Sequence, residues 1–245
     1  MQHAQPKCRP RGSILHLRWP ALYVICSGAL TLIVLVAVGL ATCRPEWYAP
    51  AAIDRVQLKS DKADFANLLD RIGAALNAGE AIEFEITEDQ LNRWLAARGE
   101  IWPALRFEVQ GLRGIQISLL EGDAVRLAAT ASQGPLEVVL SAVGRCRIEP
   151  SDDEPSRSEP SEVVIDIQSM RAGKMPIPSG KVLAPLREAI ARSDSRTATM
   201  SDQSFRLGNH WIWKNGHRPF RLDRLEITPG LARIRLAPAS DDPRE

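Results

Sequence analysis

Cysteine is scarce in this chain: 245 residues contain four, at positions 8, 26, 43 and 146. Only Cys146 lies beyond residue 43, so the body has no partner for an intradomain disulfide. There is no Cys-x-x-Cys pair and no Cys/His cluster, which removes the usual zinc and redox frameworks. Histidine is equally sparse beyond residue 43, where His210 and His217 are the only two. Net charge is almost absent, with 31 Lys and Arg against 30 Asp and Glu. The composition therefore gives no electrostatic reason to expect nucleic acid. Phosphate-binding glycine loops, His-Glu-x-x-His and Gly-x-Ser-x-Gly are missing as contiguous motifs, which counts against those families only. Ordinary proportions remain, 44% hydrophobic and 25% charged, and they exclude wholesale disorder and fibrous repeats.

The balanced charge conceals a split. Residues 1–43 carry Lys7, Arg9, Arg11 and Arg18 and no acid, leaving the remainder faintly acidic. From Ala21 to Cys43 no residue is charged, and as a helix this run reaches roughly 35 Å, enough for a hydrocarbon core of about 30 Å. Trp19 and Tyr23 stand at one end and Trp47 and Tyr48 beyond the other, where amphipathic rings favour the headgroup layer. The pattern predicts a single-pass transmembrane signal-anchor helix over 21–43. Its basic tail, 1–20, would be cytoplasmic and the body extracytoplasmic, at the cell membrane. The end of the run, Leu40-Ala41-Thr42-Cys43, resembles the lipobox of bacterial lipoproteins, although Thr42 stands where that pattern has Gly, Ala or Ser. Retention of the helix is expected over cleavage, because the apolar run exceeds that of a signal peptide. Ser27/Thr31 and Ala37/Ala41 have the small-residue spacing that lets two helices approach.

Prolines 45 and 50 bracket a juxtamembrane tether over 44–60, since proline cannot continue a helix. The body expected over 61–238 opens with Phe65, Leu68, Leu69, Ile72 and Leu76 on one helical face. A short strand over 81–86 follows. Thr87 and Gln90 then form a capping box for a helix from Glu88 to about Arg98, with Leu91, Trp94 and Leu95 as its apolar stripe. Beyond Pro103 the period changes to two. Phe107 and Val109, Ile115 to Leu119, Val125 and Leu127, and Leu136 to Leu140 read as an antiparallel meander. The run 149–162 is acidic, proline-rich and without large apolar residues, so it reads as a disordered loop inserted in the domain before strand character resumes at Val163. A third amphipathic helix is expected over 182–190, then strands at 211–214, 220–228 and 231–236, and a tail over 239–245. The predicted class is α+β: an N-terminal transmembrane helix followed by an antiparallel meander sheet packed with amphipathic helices.

Two stretches carry a resemblance. Ile86-Thr-Glu-Asp-Gln-Leu-Asn-Arg-Trp-Leu95 and Ser169-Met-Arg-Ala-Gly-Lys-Met-Pro-Ile-Pro-Ser-Gly-Lys-Val-Leu183 resemble the "threonine, then Leu-Asn" helix and the "Gly, then Leu-Pro-x-Pro, then Val-Leu" turn of YpmS-like bacterial proteins. The resemblance implies a single-pass protein with an extracytoplasmic α+β domain. It supplies no catalytic residues, and the family has no established activity. The acidic run and the Trp-rich C-terminal hairpin depart from the pattern.

Candidate chemistry is thin. His210 and His217 flank a turn at Asn215-Gly216 and read as exposed hairpin residues, since no Cys or Asp stands nearby to complete a metal site. Trp211 and Trp213 share a strand face, and with Arg218 and Arg221 they are the candidate binding residues: aromatic rings beside cations suit anionic lipid or glycan. The alternative, and the more ordinary arrangement, has the tryptophans in the core and the arginines on a solvated face. The sequence implies no cofactor and no metal. The expected function is noncatalytic binding of an envelope component, lipid or partner protein by a membrane-anchored module. The competing expectation is an envelope hydrolase whose residues converge only in three dimensions. An apolar groove without titratable groups would favour the first; a His beside a carboxylate and a Ser would favour the second.

Overall fold

The structure is a computed structural model that describes residues 18–101, 112–133, 136–149, 162–178, 180, 198–201, 203–212 and 219–239, with 18–26, 133 and 198–200 described by backbone alone. The chain divides into two compact units, Met1–Leu40 and Ala41–Glu245. The basic tail up to residue 17, the strand at Phe107 and Val109, the acidic run except its ends, the helix over 182–190 and the turn at 215–216 lie outside the described residues.

Helix α1 spans Arg18–Thr42. The transmembrane expectation is corrected here: among the described residues no helix is long and apolar enough to cross a membrane. The membrane, single-pass and signal-anchor expectations fall with it.

The second unit begins its regular structure with α2, Leu58–Ala78, which turns Phe65, Ile72 and Leu76 into the core. It ends at Gly79, whose φ of 78° lets its N–H reach back to the Ala75 and Leu76 carbonyls. Strand β1 (Ile82–Thr87) then runs directly into α3 (Glu88–Ala96), followed by the single turn α4 (Arg98–Ile101). The junction of β1 and α3 is the capping box foreseen in the sequence. The Gln90 N–H donates to Thr87 Oγ1 at 3.2 Å, and the Thr87 N–H donates to Gln90 Oε1 at 3.0 Å. Trp94 lies edge-on to Phe65 with centroids 5.0 Å apart, and Arg93 donates to the buried Asp61 carboxylate at 3.1 Å, so α3 is joined to α2 by both kinds of contact.

Ten further strands follow: β2 (Leu112–Leu120), β3 (Ala124–Gln133), β4 (Leu136–Glu149), β5 (Glu162–Ala172), β6 (Met175–Ile177), β7 (Ala198–Met200), β8 (Ser204–Gly208), β9 (Trp211–Ile212), β10 (Pro219–Thr228) and β11 (Leu231–Pro238). They form two sheets. One has seven strands in the order β2-β3-β4-β5-β8-β7, with β6 also on β5; the other has the order β1-β11-β10-β9. All the pairings are antiparallel. The expected class, α+β with one meander behind a transmembrane helix, is therefore corrected. Antiparallel sheet predominates among the described residues, and a long-range pairing divides it in two: β11 returns to β1, matching Ile82 with Leu236 and Thr87 with Leu231, instead of extending the meander.

The segment expected as a tether is packed where it begins. Tyr48 is only 3% exposed, against Ala128 and Val139 on the seven-stranded sheet. Its hydroxyl donates to the Gly114 carbonyl at 2.6 Å. Since a phenol has one proton, the Thr130 hydroxyl 2.8 Å away supplies the other. Gln116 grips the same strap, accepting from the Ala49 N–H at 2.8 Å and donating to the Trp47 carbonyl at 3.2 Å. Arg126 lies 4.4 Å from the centre of the Trp47 ring. Gly114 makes this docking possible: its φ is +57°, and a Cβ there would stand 2.8 Å from the Tyr48 hydroxyl oxygen.

Candidate functional site

The other face of the seven-stranded sheet holds the candidate site. Side chains alternate between faces along a strand, so register decides which ones meet. Ile117 pairs with Leu127 and Leu127 with Ala142; Leu119 pairs with Val125, Val125 with Gly144 and Gly144 with Ile167; Cys146 pairs with Ile165 and Ile165 with Phe205. These rows form one apolar surface across five strands. Leu91 of α3, Leu225 and Ile227 of β10 and Ala232 of β11 stand over it without filling the space, and a cavity of about 750 Å³ remains. That is the size of a small-molecule site. Small residues in the middle of β4, Ala142 and Gly144, deepen the floor between the larger side chains of β3 and β5.

One end of the cavity is closed by hydrogen bonds that substitute for a missing strand. The exposed edge of β2 would present unpaired backbone groups, and α3 satisfies them with side chains. Asn92 donates to the Ile117 carbonyl at 2.8 Å and accepts from the Ile117 N–H at 2.8 Å, while the Glu88 carboxylate accepts from the Leu119 N–H at 2.7 Å. The β10–β11 turn joins at the same place. Gly230 N–H donates to the Leu119 carbonyl at 3.3 Å, and Ile227 N–H donates to the Asp123 carboxylate at 2.9 Å. Behind these bonds Leu119, Ile227 and Ala232 form a buried cluster. Asn209 repeats the device on β10, holding both the N–H and the carbonyl of Leu222 at 2.8 Å, beside the register shift between Leu222 and Arg224.

Cys146 is the one titratable side chain among the described residues that line the cavity. Burial pushes its thiol above the usual range, and the nearby Asp123 charge pushes it the same way. It therefore stays protonated and is a poor nucleophile. Among the described residues the lining offers no carboxylate, imidazole, hydroxyl or ammonium group for proton transfer, and the arrangement can solvate hydrocarbon.

The sequence candidates that lie among the described residues, Trp211 and Arg221, do not line this cavity. Trp211 is half-buried on β9, its ring 5.9 Å from that of Phe220, and Arg221 is half-buried on β10; neither lines the cavity. Trp213, Arg218 and His217 lie outside the described residues. His210 is exposed, and among the described residues no three His, Cys, Asp or Glu side chains gather as a metal site. The cavity residues were visible in the sequence as alternating apolar positions. Nothing in that alternation distinguishes a face packed solid from a face left hollow.

Comparison with known proteins returns no matching family model, curated protein or solved structure.

Proposed function

We propose that this protein is a noncatalytic binding module whose ligand is a lipid, taken up through its hydrocarbon part in the cavity between the two sheets. The observation that carries this reading is the lining: about 750 Å³ bounded by aliphatic and aromatic side chains, with a neutral thiol as the only titratable group among the described lining residues. Water in such a space lacks the polar partners that hold a buried water, whereas a hydrocarbon chain gains by leaving solvent. The surrounding hydrogen bonds of Asn92, Glu88 and Asp123 go to backbone groups of the fold itself, which supports a rigid, preformed site.

Titration of the full-length protein with a fluorescent long-chain fatty acid tests the proposal. Saturable binding is expected, displaced by unlabelled fatty acid. Ala142→Phe places a ring in the cavity and should weaken binding about tenfold or more while leaving the thermal unfolding midpoint nearly unchanged. Absence of binding to the unmodified chain, or equal binding by a folded Ala142→Phe variant, overturns it.

A further inference from the structure

Resting on that reading, we propose that the ligand is an amphiphile with an unbranched hydrocarbon chain, held tail-first. Its methyl end lies against Leu119 and Ile227, its chain leaves past Leu127, and its polar head stays outside near Leu136. Two independent observations give the direction.

The first is the contrast between the ends of the cavity. At the Leu119 end the lining is buried and tied together by the backbone bonds of Gly230 and Ile227, so nothing larger than the cavity can extend that way. At the other end Leu127, which also lines the cavity, is 50% exposed. Since the described lining offers no ionisable partner apart from a neutral thiol, a charged or hydrogen-bonding head cannot be buried there without large cost. The head must remain at the open end, which orders the molecule.

The second is that the apolar face continues outside the cavity. Beyond the row of Leu127 and Ala142, Ala129 pairs with Leu140 and Ala131 with Val138, and the β3–β4 hairpin ends with Leu136 at 51% exposure. From Ala142 to Leu136 is about 20 Å along β4 at about 3.3 Å per residue. These side chains share the cavity's face by strand parity. The apolar face thus continues past the exposed Leu127, over the buried Ala129, to the exposed Leu136 at the hairpin end, a linear run suited to one extended chain rather than to a broad fused-ring ligand.

Paramagnetic mapping reads the orientation. Full-length protein with labelled Ile, Leu and Val methyl groups is mixed, below micelle-forming concentration, with stearate carrying a nitroxide either near its methyl end or near its carboxylate. The methyl-end label should broaden Leu119 and Ile227 most, and the carboxylate-end label should broaden Leu127 and Leu136 most. The reverse order, or the same pattern from both labels, overturns the tail-first arrangement while leaving the cavity occupied. If neither label broadens any lining methyl group, the lipid-binding reading itself fails and the orientation falls with it.

Discussion

The two faces of the seven-stranded sheet are both covered, yet one is filled and the other is hollow. On the filled face a strap of the chain, residues 44–50, lays Tyr48 onto Ala128 and Val139 and is held by polar contacts: the Tyr48 hydroxyl goes to Gly114 and Thr130, and the backbone of residues 47 and 49 goes to Gln116. On the hollow face, β10, β11 and α3 make their hydrogen bonds at the rim and leave apolar space inside. A polar strap can approach a sheet closely because hydrogen bonds fix its distance. The apolar cover is fixed at its edge, and side chains of insufficient volume leave the middle empty. Stability should reside in the first face and ligand binding in the second.

The largest effect that would sharpen this contrast is expected from Tyr48→Ala, about 3–5 kcal/mol of lost stability by denaturant unfolding, since it removes a buried ring and strands the Gly114 carbonyl. Gly114→Ala should also destabilise, and because its Cβ meets the Tyr48 hydroxyl, Tyr48→Phe should relieve part of the damage in the double mutant. Additive losses would mean that the close approach is not what requires glycine. Asn92→Ala comes next, at about 2–3 kcal/mol, because it leaves both backbone groups of Ile117 without their partner. Ala142→Phe, on the hollow face, should change stability by less than about 1.5 kcal/mol. A loss comparable to that of Tyr48→Ala would show that the cavity is not free space and would break the comparison.

The smallest effect concerns Cys146. Its folded-state pKa is raised by burial and then by Asp123, so the folded protein holds the proton more tightly than the unfolded chain. The contribution is fully present below the ordinary thiol range and is lost as pH rises through the raised value. Alkylation of Cys146 at neutral pH should accordingly be slow, and should slow further when the cavity is occupied. Rapid modification, unaffected by fatty acid, would contradict both the raised pKa and the occupancy.

Local chemistry was the most legible part of this protein. The capping box at Thr87 and Gln90 follows from spacing alone because both partners lie within one turn, and the stripe of Phe65, Ile72 and Leu76 follows from helical periodicity, which marks the buried face without naming its distant partners such as Trp94 and Leu236. The Leu91-Asn92 pair was visible too, but its use was not: Asn92 bonds to Ile117, and only the fold brings β2 beside α3. Tyr48 shows the same limit, since its position after an apolar run suggested a ring at a membrane surface and its contacts lie at Thr130 and Gly114. The cavity was hidden for a different reason. Val125, Leu127, Ile165 and Ile167 alternate as core residues do, and the space among them depends on the combined volume of side chains from α3 and seven strands.

The pairing of β1 with β11 also imposes a schedule on the chain as it is made. Ile82 waits for Leu236, so the apolar side of β1, with Phe84 and Ile86, emerges roughly 150 residues before its partner strand. At about 5–20 residues per second, that interval is on the order of ten seconds or more, far longer than a helix or hairpin needs to form. During it α2 and α3 can cover one side of β1, but its backbone edge toward β11 stays unpaired. The four-stranded sheet is therefore completed only when β11 has emerged, and chains interrupted before residue 231 carry an open edge suited to pairing with other nascent chains.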